Sequence, residues 1–244
     1  MEKLSGKTAL VTGSTDGVGR LVARKLGQAG ARVLVHGRDA ERGARVVADI
    51  EASGGAATFL AADRQTSAEG FELRFAVNYL AGFLLTLLLL PLIKNSTPAR
   101  IVNVSSAGQQ PIDFGDVMLT RGYSGTRAYC QSKLAQIMVT IDLGAALEGT
   151  GVTVTCLHPA TYMDTSMVRR AGVRPLSTVE EGARAILNLA TSPAVEGQTG
   201  LYFNGLHEAK AQAQAYDPDA RRPLEALSLE LTGLSVEGVA ALER

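Results

Sequence analysis

Two stretches of this chain hold groups whose types and spacing could do chemistry. Tyr129-Cys130-Gln131-Ser132-Lys133 sets a phenol and an ammonium four residues apart. On a helix that spacing puts both on one face. A free tyrosine titrates near pH 10, too high for acid–base work at neutral pH, and a neighbouring ammonium favours the phenolate. The pair is suited to passing a proton to and from an oxygen, although such pairs are also common on exposed helices. Ser105-Ser106 follows the apolar run Ile101-Val102-Asn103-Val104 and adds hydroxyls where a parallel strand would end, the place where α/β sheets bind ligands.

The other stretch is Thr12-Gly13-Ser14-Thr15-Asp16-Gly17-Val18-Gly19. Glycines here let backbone amides approach phosphate oxygens with no Cβ in the way. The helix that follows offers free N–H groups and the positive end of its dipole. The spacing is Gly-x-x-x-Gly-x-Gly, whereas the commoner fingerprint is Gly-x-Gly-x-x-Gly, and a tight strand-to-helix turn is the bland alternative. Sheets that bind NAD usually place Asp or Glu at the tip of the second strand. This chain has His36-Gly37-Arg38. A guanidinium suits a 2′-phosphate because it is planar, permanently charged and able to donate twice, so NADP(H) is expected over NAD(H), unless Arg38 pairs with Asp39 or Glu41. Asp63 closes the third strand, at the adenine edge, or caps the next segment.

These groups need a frame, and apolar periodicity supplies one. Strands are predicted at Thr8–Thr12, Arg32–His36 and Ala56–Ala62, with helices over Arg20–Ala29 and Asp39–Ser53 between them. Gly30 ends the first helix and Asp39 caps the second. The alternation repeats in a helix Ser67–Lys94, a strand Arg100–Ser105, a polar loop Gly108–Gly125, a helix Thr126–Leu147, a strand Val152–Leu157, a helix Val179–Thr191 and a strand Gly200–Phe203. Residues 205–244 are read as a helical C-terminal extension starting at Asp217-Pro218. The expected fold is α/β, a doubly wound parallel sheet of Rossmann type in a single domain spanning 1–244.

Composition narrows the function classes. The chain has 244 residues, 46% of them hydrophobic, enough for a core without staples. Its formal net charge is zero, which argues against a nucleic-acid binder driven by bulk charge. Cys130 and Cys156 lie far apart without metal spacing; no metal site is expected, and free thiols point to a reducing, cytoplasmic setting. The charged N-terminus Met1–Lys7 lacks the apolar core of a signal peptide. Phe75–Ile93 carries no charge and approaches the length of a membrane span. Asn78, Gly82 and Pro91 interrupt it, and Arg74 and Lys94 bracket it, so a buried helix is expected and a membrane span is not.

The turn at Thr12–Gly19, Asn103-Val104-Ser105-Ser106 and the Tyr129–Lys133 motif together resemble the short-chain dehydrogenase/reductase family. Phe71–Leu80, the long loop between Ser106 and Tyr129, and Ala128-Tyr129-Cys130 resemble its retinol-dehydrogenase-like branch. The resemblance covers most of residues 5–205. It implies hydride transfer between NADP(H) and a carbon bearing oxygen, with Tyr129 as general acid/base, Ser106 on the substrate oxygen, and Lys133 lowering the Tyr129 pKa and holding the nicotinamide ribose. It implies that Asn78 holds a water in a proton relay, with an ordinary structural hydrogen bond as the alternative, and that Gly13 to Gly19, Arg38, Asp63, Tyr129, Lys133, Pro159 and Thr161 contact the cofactor. In that family, helices matching Ser67–Lys94 and Thr126–Leu147 often form a dimer interface, so their apolar content fits a homodimer or packing on the sheet. The loop Gln109–Thr126 and the stretch Tyr162–Val173 would wall the substrate pocket; Met118, Leu119, Tyr123, Met163 and Met167 there point to an apolar substrate, or to packing on one another.

Two features depart from the family pattern. Ala160 stands where the family usually has Gly after His158-Pro159. More importantly, only Arg64–Gly70 lies between Asp63 and the helix bearing Asn78, where the family inserts a helix and a central strand. That is too short for a crossover unit, so one helix–strand unit, about 35 residues, is absent, and the first strand and the strand ending at Ser105 would pair directly. Such closure would shift strands by about 4.8 Å, and displacements near 1 Å can cost about 100-fold in rate. Besides an active oxidoreductase, the sequence therefore allows a dinucleotide-binding protein with impaired catalysis, or a non-catalytic interaction protein.

Overall fold

Short apolar strands that alternate with amphipathic helices bury one helix face each against a sheet, and this chain does so twice. A computed structural model describes residues 4–37, 39–61 and 70–235. Arg38 and Asp63, two of the expected cofactor contacts, lie outside the described residues. The chain clusters into two compact units, residues 1–65 with 159–195, and 66–158 with 196–244.

In the first unit, β1 (Thr8–Val11), α1 (Gly17–Gln28), β2 (Arg32–Gly37), α2 (Ala40–Ala52) and β3 (Ala56–Ala61) follow the expected alternation. The strands are parallel in the order β1-β2-β3, Thr8 opposite Arg32 and Arg32 opposite Ala56. Asp39 caps α2 as predicted, its carboxylate accepting from the Arg42 amide at 3.0 Å. A short helix, α6 (Ser166–Arg170), was not foreseen; α7 (Val179–Thr191) was, and starts on a capping box between Thr178 and Glu181.

In the second unit, β4 (Ala99–Val104), β5 (Val152–His158) and β6 (Leu201–Asn204) are parallel, and a short β7 (His207–Glu208) turns back antiparallel. The helix expected from Ser67 is described from α3 (Leu73–Phe75), passes through a π-helical turn at Ala76–Leu80, and continues as α4 (Ala81–Lys94). Glu72 caps its start, accepting from the Phe75 amide at 2.7 Å. The helix bearing Tyr129 and Lys133 is α5 (Gly125–Ala146), capped by Ser124, and α8 (Pro218–Thr232) begins on Asp217 with Pro218 in its first turn. Phe75, Tyr79, Leu87, Leu134, Met138 and Val154 belong to one core cluster. The buried Tyr79 hydroxyl meets Ser228 of α8 at 2.8 Å, and Arg221 pairs with Asp142 at 2.6 Å.

One expectation is corrected here. The described strands form two sheets, with β1 at the edge of one and β4 at the edge of the other, and the direct β1–β4 pairing is not made. The seven residues from Arg64 to Gly70 are too few to add a helix and a strand to either sheet. The unit bearing α4 shows a related imbalance. Leu73, Val77, Leu88 and Leu92 are 54–65% exposed, on a helix segment, Leu73–Lys94, long and apolar enough by length and composition to cross a membrane. The buried helix foreseen there is thus buried on one face only.

Candidate active site

In the first unit the phosphate turn is built from backbone. Gly13 and Gly17 adopt φ of +64° and +55°, which side-chain-bearing residues rarely do. At Gly19 a Cβ would lie 2.5 Å from the Gly13 carbonyl oxygen, so the turn can close only on a glycine. Gly37, at the tip of β2, performs the same service for Thr15: a Cβ there would fall 2.4 Å from the Thr15 methyl carbon. Ser14 is fully buried and is spent on structure, its Oγ accepting from the His36 amide at 3.0 Å and its amide donating to the His36 carbonyl. Asp16 caps α1 through the Gly17 amide at 2.8 Å and accepts from Ser166 Oγ at 2.7 Å; these bonds hold its carboxyl below the usual carboxylate range. The first-turn amides of Val18 and Gly19 have no intrahelical acceptor. A cradle that a Cβ would fill, at the positive end of a twelve-residue helix, fits a dinucleotide diphosphate. Pro159 is buried, while Thr161 is exposed and accepts from Ser177 through its carbonyl.

In the second unit the site is built from side chains. Ser105 and Ser106 end β4, and the structure divides their tasks. Ser105 Oγ donates to the Lys133 carbonyl at 2.7 Å and is committed to packing α5 on the sheet. Ser106 hydrogen-bonds the Tyr129 phenol, and its Oγ accepts from the Gly108 amide at 3.1 Å. Tyr202 and Gln109 donate to the Ser106 carbonyl, fixing the backbone beneath. Lys133 lies one helical turn from Tyr129, with its ammonium 5.8 Å from the phenol ring centroid. That ammonium donates to the Val104 carbonyl and to Gln136 Oε1, each at 2.9 Å.

The electrostatics differ from the simple expectation. Burial pushes the Tyr129 phenol up, opposed by the Ser106 hydrogen bond. Burial also brings the Lys133 ammonium down to about 8. The Tyr129 phenol is thus raised rather than lowered, and the Lys133 ammonium is engaged by Val104 and Gln136. Gln136 was missed in the sequence, although it sits one turn beyond Lys133 on the same helix face.

Asn78 lies in the π-helical turn, a feature often found at functional sites. Its Nδ2 donates to Ser132 Oγ at 3.0 Å, and that hydroxyl donates to the Tyr129 carbonyl at 2.8 Å. The amide therefore ties the π turn to α5 one turn from Tyr129. The loop before α5 is held closed by its own contacts. Arg74 donates to Tyr123 Oη at 2.6 Å, Tyr123 donates to Glu72 at 3.2 Å, and Gln214 brackets Ile112 through two bonds. The apolar side chains expected to wall a substrate pocket are largely packed. Met118 sits against the core, Leu119 is buried at a positive φ of 52°, and Met163 rests on Gly182 of α7. Tyr123 is exposed, and the Met167 side chain lies outside the described ones. A cavity lined by Tyr79, Phe83, Leu87 and Leu224 belongs to the packing of α8, and neither Ser106 nor Tyr129 lines it.

Comparison with known proteins shows the family and the fold. The family model described as short chain dehydrogenase matches in two stretches, residues 7–70 and 63–174. Retinol dehydrogenase 11 of Homo sapiens is 33% identical over 282 residues, covering 96% of this chain and 88% of that protein. Retinol dehydrogenase 13 of Homo sapiens is 30% identical, with 97% and 87% covered. The 282 aligned positions exceed the 244 residues of this chain, so the relative contains residues without a counterpart here. Among solved structures, an uncharacterized protein from Mycobacterium paratuberculosis shares the fold with a TM-score of 0.79 at 24% identity, covering 96% of each chain. The landomycin C-6 ketoreductase LanV, solved with bound NADP and rabelomycin, has a TM-score of 0.65 at 26% identity, covering 84% of this chain and 96% of its own.

Proposed function

This chain belongs to the short-chain dehydrogenase family of oxidoreductases, and we propose that it interconverts an alcohol and a carbonyl of a small apolar substrate with NADP(H) as partner. The observation that carries this reading is the Ser106 hydroxyl on the Tyr129 phenol at the C-terminal end of β4, with the Lys133 ammonium one turn away. When bound, the nicotinamide supplies or accepts the hydride. Ser106 orients the substrate oxygen by a hydrogen bond. Tyr129 Oη gives that oxygen a proton in reduction and removes one in oxidation, a role worth about 100- to 10,000-fold in rate. Lys133, whose ammonium is already ordered by Val104 and Gln136, holds the nicotinamide ribose. Gly13, Gly17, Val18 and Gly19 seat the diphosphate, with Thr15 and Asp16 shaping the turn.

The choice of NADP(H) draws on the β2 tip His36-Gly37-Arg38, which lacks a carboxylate, and on LanV binding NADP. The buried thiols Cys130 and Cys156 support a reducing, cytoplasmic setting. The exposed apolar face of α4 supports a homodimer as its cover. The substrate panel begins with retinal and other apolar aldehydes and with polycyclic ketones, after the names of the relatives. Following NADPH absorbance with this panel tests the reading: turnover abolished in Tyr129→Phe, with cofactor binding retained, is the expected result.

One observation favours a second reading. Only seven residues, Arg64 to Gly70, stand where the family pattern inserts a helix and a strand, so a chain that binds dinucleotide without turning it over is the competing function. NADPH binding with no oxidation across the panel would establish that reading instead.

A further inference from the structure

An ammonium has three N–H donors and no acceptor. Lys133 places two of them, one on the Val104 carbonyl and one on Gln136 Oε1, each at 2.9 Å. The group is tetrahedral, so two fixed bonds leave the third N–H one direction. The Val104 carbonyl belongs to the end of β4, where Val104 lies opposite Leu157 of β5. Gln136 is the side-chain acceptor, and its backbone is tied to the same strand. Its carbonyl accepts from Thr140 Oγ1 at 2.7 Å, and Thr140 Oγ1 accepts from Asn103 Nδ2 at 2.9 Å. Ser105 Oγ in turn ties the Lys133 carbonyl to the end of β4 at 2.7 Å. Lysine and glutamine thus stand one turn apart on a helix that is anchored to β4 beside each of them.

The geometry points to Gln136 as a positioning residue: with Val104 it fixes the direction of the third Lys133 N–H, the one left for the nicotinamide ribose. The inference rests on the dinucleotide reading above and adds to it a residue that acts on the cofactor only through Lys133. Gln136 also bears on charge. Burial brings the ammonium down to about 8, so it is charged at pH 7 by a narrow margin. An acceptor held on it favours the charged form. A leucine there would leave a buried donor without a partner, a loss the group relieves by giving up its proton. The ribose would then meet an amine less often charged and less well aimed. The surroundings leave that titration to the lysine. The end of β4 contributes Val104, Ser105 and Ser106, and the π turn contributes Asn78, none of which titrates. Tyr129 on α5 does, and burial holds it above its ordinary 10. No charged group among the described residues shifts the lysine.

Calorimetric titration of the full chain compares NADPH with 2′,5′-ADP and NADH with ADP, the second of each pair lacking the nicotinamide ribose. At pH 7, Gln136→Leu should weaken the bound dinucleotide by about tenfold, the scale of one charge-assisted hydrogen bond, and leave the short ligands within a factor of about two. Gln136→Glu keeps an oxygen on the ammonium and should hold dinucleotide affinity near that of the wild type. Wild-type affinity for the dinucleotide should fall as pH rises through about 8. That fall should come about one unit lower in Gln136→Leu and at higher pH in Gln136→Glu. A packing defect would not move the midpoint in opposite directions. Dinucleotide affinity unchanged in Gln136→Leu overturns the inference and leaves the dinucleotide reading standing. Equal weakening of long and short ligands overturns it too, as does a Gln136→Glu variant as weak as Gln136→Leu. Tighter dinucleotide binding in Gln136→Leu would make Gln136 a competitor for the ammonium and overturn it likewise. Binding of none of the four ligands by the wild type overturns the dinucleotide reading and the inference with it.

Discussion

The two units reach their chemistry by opposite means. The phosphate turn of the first unit depends on atoms that are not there: Gly19 closes against the Gly13 carbonyl and Gly37 receives Thr15, each at a distance no Cβ allows. The Ser106–Tyr129–Lys133 group of the second unit depends on side-chain atoms in a setting whose burial raises the Tyr129 phenol and lowers the Lys133 ammonium, with Ser106 opposing the first shift and Val104 accepting from the lysine. A backbone-built site should fail when a methyl is added, and a side-chain-built site when an oxygen is removed. The largest expected effects test that contrast directly. Tyr129→Phe should lower turnover by about 100- to 10,000-fold, with the NADPH dissociation constant within a factor of about two, because the phenol oxygen is needed for a proton and not for seating a diphosphate. Gly19→Ala should do the reverse at the first step, weakening NADPH binding by about 100-fold, since backbone cannot yield to the new methyl and overpacking costs about 1–3 kcal/mol. Fluorescence titration and initial rates on both variants check the pair. Similar loss of binding in both would remove the distinction.

Lys133 sharpens the contrast at the next level down. Its ammonium is buried, and its pKa of about 8 lies below the ordinary 10.5. Below pH 8 the group is charged in folded and unfolded chains alike, and the folded state carries the full cost of burying it. Between about pH 8 and 10.5 the unfolded chain binds more protons than the folded one, so this contribution to stability improves as pH rises. Above 10.5 both forms are neutral and no difference remains. Lys133→Met should therefore stabilise the fold near pH 7 by about 1–3 kcal/mol, and the gain should vanish by about pH 11, as urea unfolding at the two pH values would show. A stabilising substitution at a site residue is the signature of a side chain retained for function at the expense of the fold. An unchanged or lowered midpoint at pH 7 would mean that Val104 and Gln136 fully offset the burial.

How much of this was legible in the sequence follows the same division. The glycine turn, the caps Asp39 and Asp217, and the first three strands were readable, because each is written in local residue types: glycines at fixed spacing, an acid before a helix, an apolar run between turns. Ser106 and Tyr129 could be paired from the ends of predicted elements and the family resemblance. The destination of the Lys133 ammonium could not, because Gln136 and the Val104 carbonyl compete for it only once α5 packs on β4. The grouping of the strands into two sheets was half legible. The seven residues from Arg64 to Gly70 are too few for a helix and a strand, yet spacing alone does not say which strands then pair. Similarly, α4 and α5 read as equally apolar, but Leu134, Ile137 and Met138 of α5 are fully buried while Leu88 and Leu92 of α4 face outward, a difference decided by what packs on each helix. Leu134→Ala should cost about 2–5 kcal/mol and Leu88→Ala within about 0.5 kcal/mol in the monomer, by denaturant unfolding.

The finest test lies between two adjacent serines that the sequence could not tell apart by function. Ser105 donates to the Lys133 carbonyl, a group that also closes a helical turn, so Ser105→Ala should cost about 1 kcal/mol of stability and alter turnover only through a slight shift of α5. Ser106 is bonded to the Tyr129 phenol and accepts from the Gly108 amide. Its loss should leave stability within about 1 kcal/mol, because the phenol is only partly buried and the Gly108 amide adjoins an exposed residue. It should lower kcat by about 100-fold, the usual effect of removing one donor to a reacting oxygen, with KM for NADPH unchanged. Unfolding curves and initial rates on the two alanine variants measure both quantities. If Ser105→Ala were the variant that lost turnover and Ser106→Ala the one that lost stability, the hydroxyl on Tyr129 would be a packing contact, and the second unit would have the frame of the reaction without its oxygen-binding donor.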